Sequence, residues 1–169
     1  MKYLLALTFI ICSVFAFAGN SDTLTDKKTL SSVEVKNMDG ETVDIMEYAN
    51  NGKITIISFW ATWCKPCIKE LKNIDALYED WQDEYDLELV AVSVDDARNS
   101  NKVRSYVNGL GWIYDVLLDP NGELQRSLNV TNPPVTILLN QKGEIVYIHT
   151  GYLEGDEYKL EEAIKEIIK

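Results

Sequence analysis

The feature that most constrains this chain is a change of period at residue 65. Residues 53–60, Lys-Ile-Thr-Ile-Ile-Ser-Phe-Trp, form a β-rich, mostly apolar run with the character of a central strand. From Lys65 onward, Ile68, Leu71, Ile74, Leu77, Tyr78 and Trp81 fall on one helical face, with Lys69, Lys72, Asp75 and Glu79 outside. The alternation repeats. A strand at 87–94 precedes a helix at 99–108 that ends at Gly109, with Val103, Tyr106 and Val107 inward. A short strand at 114–118 and the turn Asp119-Pro120-Asn121-Gly122 lead to a helix at 123–128. Strands at 135–139 and 145–149 are joined by Asn140-Gln141-Lys142-Gly143, and an amphipathic helix at 156–168 closes the chain. Upstream, residues 33–36 and 41–44 alternate around Asn37-Met38-Asp39-Gly40 as a β-hairpin, followed by one helical turn at 45–49. The order ββ-β-α-β-α-β-α-β-β-α predicts an α/β domain: a mixed sheet with helices on both faces, parallel within and antiparallel at an edge.

The first residues have a different character. Lys2 supplies a positive start, residues 4–17 are almost unbroken apolar, and Ala16-Phe17-Ala18 has the small-x-small form of a signal-peptidase site. We therefore expect a signal peptide at 1–18, a mature chain from Gly19, a flexible linker at 19–31 and one domain at 32–169. The rivals are weaker. The run is short for an uncleaved membrane anchor, and Phe9-Ile10-Ile11 before Cys12 do not suit a lipoprotein site. The expected location is outside the cytosol, in the periplasm or cell envelope, held to the membrane if the leader stays. Beyond the leader no window is apolar for about 20 residues, so the body of the chain carries no membrane span.

Charge narrows the partners. The chain has 16 Lys+Arg against 27 Asp+Glu, a formal charge of −11 that becomes −12 when Lys2 leaves. Nucleic-acid backbones and anionic membranes call for the opposite sign. With 9 Gly, 4 Pro and 3 Cys, collagen-like and disulfide-scaffold classes are also excluded.

Once Cys12 leaves, only Cys64 and Cys67 remain, in Phe59-Trp60-Ala61-Thr62-Trp63-Cys64-Lys65-Pro66-Cys67. They stand where a strand hands over to a helix. The unpaired N–H groups and partial positive charge of a helix N-terminus stabilise a thiolate. Cys64, at the mouth, is expected to be the more acidic and exposed sulfur, with Lys65 lowering its pKa further. Cys67, one turn inside, is the resolving thiol. Pro66 is tolerated because a first-turn N–H has no helical partner. A purely structural disulfide closing so small a loop contributes little. Zinc needs about four ligands, whereas the mature chain offers two Cys and His149. Inert buried thiols do not suit a site beside Trp63 and Lys65. A redox-active dithiol is the reading the residues favour.

This segment, followed by Glu70 and Leu71, resembles the active site of TlpA/ResA-type thiol–disulfide oxidoreductases of the thioredoxin superfamily. The stretch Asn132-Pro133-Pro134-Val135-Thr136-Ile137-Leu138-Leu139-Asn140, with Lys142-Gly143-Glu144 after it, is similar to that family's cis-proline strand and hairpin. The resemblance covers roughly residues 33–168 and implies a thioredoxin-like fold with an N-terminal hairpin and an extra strand–helix insert. It implies Cys64 as attacking thiolate, Cys67 as resolving thiol, Trp63 as the aromatic shielding the disulfide, and Pro134 as the cis-proline facing it. Trp63, Lys65, Pro66, Pro133 and Pro134 form the expected substrate-contacting set. A trans turn at Pro133-Pro134 is the alternative.

The segment departs from thioredoxins proper twice. Their buried Asp six residues before the first Cys is Ser58 here. Glu70, three residues beyond Cys67 on the same helical face, is the candidate substitute as the base that takes the Cys67 proton. The plainer alternative is a solvated acid. Pro133 lacks the N–H that usually docks substrate, so one hydrogen bond is lost. Other residues attract plainer readings. Lone His149 is assigned to the surface, Asp95-Asp96 to a helix start, Trp112 and Tyr114 to core or cleft wall, and residues 152–158 to a solvated loop.

The reaction expected is dithiol/disulfide exchange, reducing disulfides in exported partner proteins. No metal or organic cofactor is needed, because the electrons sit on sulfur, and by family analogy a membrane thiol reductant restores a monomeric protein. A disulfide oxidase and a binding module with an incidental disulfide are the alternatives. A thiol peroxidase fits poorly, because its Pro-x-x-x-Thr-x-x-Cys approach would need Thr and Pro where Ala61 and Ile57 stand.

Overall fold

The computed structural model describes residues 28–169, so the expected leader at 1–18 and the linker as far as residue 27 lie outside the described residues. Seven strands form one sheet: β1 Glu34–Asn37, β2 Thr42–Asp44, β3 Ile54–Trp60, β4 Leu87–Ser93, β5 Asp115–Leu118, β6 Val135–Leu139 and β7 Ile145–Thr150. Their spatial order is β2-β1-β5-β4-β3-β6-β7. The helices are α1 Met46–Ala49, α2 Lys65–Tyr85, α3 Ser100–Leu110, α4 Glu123–Ser127 and α5 Asp156–Ile167.

β3 is central for the reason its composition suggests: all seven of its residues are buried. It pairs parallel with β4 and antiparallel with β6. One face of the sheet packs Ile56, Trp60, Leu89 and Leu138 against α2, α3 and α5 through Leu71, Ile74, Val103, Leu160 and Ile164. The other packs Ile57, Phe59, Val92 and Ile137 against α1 and α4 through Ala49 and Leu124. Two cores separated by one sheet give the mixed α/β architecture expected from the alternation.

Two boundaries differ from expectation. The linker does not extend to residue 31. Thr29 bridges Glu144, the Ile145 N–H donates to the Lys28 carbonyl at 2.8 Å, and Leu30 is buried in the second core. A short polar stretch gave no sign of this, because its partner is the distant start of β7. Helix α3 also runs through Gly109 to Leu110. The left-handed cap falls on Gly111 (φ 70°), whose N–H donates to the Val107 carbonyl at 3.1 Å. With two glycines two residues apart, composition alone does not say which one ends the helix.

Candidate active site

The site begins where β3 ends. After Trp60 the chain turns through Ala61 and Thr62, the Cys64 N–H donates to the Ala61 carbonyl at 3.0 Å, and α2 starts at Lys65. Cys64 is the N-cap: its Sγ accepts the Cys67 N–H at 3.3 Å, so the sulfur occupies the anion-favouring position at the helix end. Pro66 lies in the first turn, as expected. Cys64 and Cys67 are joined in a disulfide.

Cys64 is the more exposed of the pair, as expected, but only slightly: in the disulfide state it is 4% exposed and Cys67 is fully buried. Its sulfur is turned inward to cap the helix and to bond Cys67. Trp63, by contrast, is 62% exposed beside it. The exposed apolar surface at the mouth is therefore the indole.

The turn is pinned from β4. Asp95, buried, accepts the Thr62 N–H at 2.7 Å, the Thr62 hydroxyl at 2.7 Å and the Ser93 hydroxyl at 3.0 Å. Sequence reasoning placed Asp95 with Asp96 at a helix start; Asp96 accepts from the Arg98 and Asn99 N–H groups in the turn before α3, whose N-cap is Asn99, while Asp95 serves the active-site turn. The role of Asp95 depends on the β3–β4 register, which sets Trp60 opposite Ser93. No local signal in the sequence carries that.

Just before β6 the Pro133–Pro134 peptide is cis and Pro134 is buried, next to Val135, which pairs with Phe59 near the end of β3. The Pro134 carbonyl accepts the Gly151 N–H at 2.9 Å, which fixes the segment to the end of β7. Pro133 is half-buried and, like any proline, offers no N–H.

Glu70 is 4% exposed and so is not a solvated acid. The Thr136 hydroxyl donates to its Oε1 at 2.6 Å, while Oε2 is buried without a hydrogen-bond partner among the described residues. Burial pushes its pKa up to about 7; the Thr136 hydrogen bond opposes this, and the charges of Asp156 and Glu157 add to it. Ser58, at the position of the missing aspartate, is directly paired with Thr136, and its hydroxyl is buried and unpartnered. The carboxyl thus reaches this part of the core from the helix instead of from β3.

A small cavity beside Glu70 is lined by Thr136, Tyr147, His149, Asp156 and Glu157 among others. This corrects the solvated-loop reading of residues 152–158 in part, and it sets the partly exposed His149 at the cavity's edge. His149 is 30% exposed and its Nε2 lies 3.1 Å from Asp156 Oδ2. Asp156 and Glu157 are buried, and Tyr152 donates to Glu157 at 2.8 Å. Tyr114 is buried, and Trp112 packs edge-on against Trp60 with ring centroids 5.0 Å apart, so both belong to the core. Among the described residues no group of three His, Cys, Asp or Glu side chains converges as metal ligands would, and no helix is long and apolar enough to cross a membrane.

A mixed sheet carrying a two-residue-spaced disulfide at a helix N-terminus, with a cis-proline at the start of the strand beside β3, defines a thioredoxin-like thiol–disulfide oxidoreductase. The AhpC/TSA family profile matches residues 27–148, and the chain belongs to that family. Sporulation thiol-disulfide oxidoreductase A of Bacillus subtilis is 29% identical over 161 residues, covering 94% of this chain and 95% of that protein. Thiol-disulfide oxidoreductase ResA of Halalkalibacterium halodurans is 29% identical over 164 residues, covering 97% and 88%. A thioredoxin-like protein from Porphyromonas gingivalis, solved in solution, superposes with a TM-score of 0.74 at 47% identity, covering 82% of this chain and 91% of that one.

Proposed function

We propose that this protein is an exported reductase of disulfides in partner proteins, working by exchange at Cys64 and Cys67. The observation that carries the reading is the buried Glu70, one helical turn beyond Cys67 and titrating near neutrality. A base of that pKa suits deprotonation of the resolving thiol at neutral pH. In the reduced protein the Cys64 thiolate attacks a partner disulfide. A Cys64–partner bond forms, the partner's S–S bond breaks, and the released thiolate takes a proton from solvent. Glu70 then accepts the Cys67 proton, and the Cys67 thiolate attacks Cys64 Sγ. The second partner thiolate leaves, and two electrons have moved from protein to partner. The partner chain docks against Trp63, Lys65, Pro66, Pro133 and Pro134, with one backbone hydrogen bond fewer at Pro133. No organic cofactor or metal enters the cycle.

The N-terminal pattern of Lys2, an apolar run and Ala16-Phe17-Ala18 supports export to the periplasm or cell envelope, with residues 1–18 as leader. There a monomeric protein would be re-reduced by a membrane thiol reductant. A second reading, an oxidase, is favoured by one observation. Cys64 Sγ already caps the helix, an arrangement that stabilises the thiolate and so the reduced form.

The reduction potential of the Cys64–Cys67 couple separates the two. A value near or below about −270 mV makes the protein a reductant, and one near about −120 mV makes it an oxidant. A Cys64→Ser variant that keeps its biological role would instead show a binding module whose disulfide is incidental.

A further inference from the structure

The structure carries one feature that disulfide exchange does not by itself explain: a polar row crossing the face of the sheet under α2 and α5. Ser58 on β3 is paired with Thr136 on β6, and Thr136 with His149 on β7. Directly paired residues project to the same side, so these three polar side chains stand in line on a face otherwise filled by Trp60, Leu138 and Leu160. Glu70 descends onto the middle of this row and accepts from Thr136, leaving Oε2 free beside the cavity that His149, Asp156 and Glu157 also line.

A base that takes a proton at every turnover must also lose it. Glu70 is closed off from solvent on its own helix, and its bonded neighbour Thr136 is buried as well. Of the cavity's polar groups, Asp156 is held ionised, its pKa lowered to about 2, chiefly by the hydrogen bond from Lys159 and then by the Leu153 N–H. Burial opposes charge on Glu157, yet hydrogen bonds from backbone N–H groups, Tyr152 and Asn73 keep its pKa below the usual value. Tyr147 is raised by burial and remains protonated. His149 is different in kind. Its ring has two nitrogens, one of which can accept a proton as the other releases one, and its side chain is partly open to solvent. Asp156 Oδ2, 3.1 Å from Nε2, fixes the orientation of the ring at the cavity.

We propose that His149, oriented by Asp156, is the port through which Glu70 exchanges its proton with solvent. The inference rests on Glu70 acting as the base. A proton taken from Cys67 passes from the Glu70 carboxyl to the imidazole, across the cavity or by way of the Thr136 hydroxyl. It leaves from the exposed side of the ring, returning Glu70 to the carboxylate. One proton moves, no bond between heavy atoms changes, and no co-reactant is required. His149 acts through Glu70 and does not touch the sulfurs.

The test is multiple-turnover reduction of a disulfide-linked fluorophore–quencher peptide under excess dithiothreitol, with the uncatalysed rate subtracted, followed across neutral pH with and without added imidazole. His149→Ala and His149→Gln are expected to turn over about tenfold more slowly than wild type. Imidazole should restore the rate in His149→Ala and leave Glu70→Gln slow. Wild-type rates in both His149 variants, with Glu70→Gln slow, would overturn the port and leave the base role intact. A wild-type rate in Glu70→Gln would remove the base role and the port together. Slow His149 variants that imidazole does not rescue would mark a structural part for the ring and also overturn the proposal.

Discussion

The Thr136 hydroxyl donates to Glu70 Oε1 at 2.6 Å, joining residues 66 positions apart in the chain. Among the described residues it is the one direct hydrogen bond to a carboxyl that the fold otherwise buries among Ile74, Leu160 and the sheet. Thr136 stands two residues beyond the cis Pro134 on β6, and Glu70 three beyond Cys67 on α2. The contact therefore links the cis-proline segment to the helix that carries Cys67.

Burial of Glu70 has a consequence for stability. Its pKa is about 7 in the folded chain against 4.5 for an ordinary glutamate. Between those values the folded state binds more protons than the unfolded state, so stability falls as pH rises through this window and levels off above it. Glu70→Gln removes the titration and keeps an acceptor for Thr136. In the oxidised state the variant should exceed wild type by up to roughly 3 kcal/mol at about pH 8, with the difference vanishing below about pH 4.5. Urea unfolding at several pH values measures it. A constant difference across the range would show that Glu70 does not titrate as described.

The same substitution separates the chemical steps. Glu70→Gln should slow release of the partner from the mixed disulfide by about a hundredfold, within the usual range for loss of a general base. Alkylation of Cys64 at different pH values should change little. If both change equally, Glu70 acts on the whole site and not on Cys67.

Replacing the resolving thiol should trap the intermediate. Cys67→Ser leaves Cys64 able to attack and nothing to release the partner, so covalent complexes should accumulate and run as higher-mass bands without reductant. Cys64→Ser should give none. Equal trapping by the two variants would overturn the assignment of attacking and resolving sulfurs.

Pro134→Thr tests whether the cis-proline faces the docked chain, because it introduces an N–H and a hydroxyl at that position. Mixed disulfides with partner chains should persist longer, and more of them should be recovered after acid quenching than from wild type. Recovery no greater than wild type would argue that Pro134 does not face the docked chain.

Asp95 is predicted to matter for order at the site. Asp95→Ala leaves the Thr62 N–H and the Thr62 and Ser93 hydroxyls without their acceptor, a loss of about 2–5 kcal/mol at typical costs for buried donors to a charged group. Thermal unfolding should show the shift, and amide exchange at Thr62 and Cys64 should quicken more than that at Ile56 in the centre of β3. Uniform quickening would mean that Asp95 supports the fold as a whole and not the turn in particular.

Much of this was legible in order along the chain, because the signals involved are local. The period change at Lys65, the apolar run of β3, the β6–β7 hairpin and the Cys64-Lys65-Pro66-Cys67 segment each draw on residues within one or two turns of one another. Helix phase even placed Glu70 on the face of Cys67. It could not bury it, since burial depends on what lies across from that face. The same limit hid the Lys28–Leu30 pairing with the start of β7 and the hold of Asp95 on Thr62, and it left His149 assigned to the surface. Sequence by itself determined the elements, their order and the closely spaced Cys64–Cys67 pair, all of which follow from backbone propensity and short-range spacing. Only the tertiary structure decided which polar groups meet. Strand register and helix packing bring Ser58, Thr136, His149, Glu70 and Asp156 together from five different elements, and the low-dielectric surroundings this creates move the Glu70 carboxyl to neutrality.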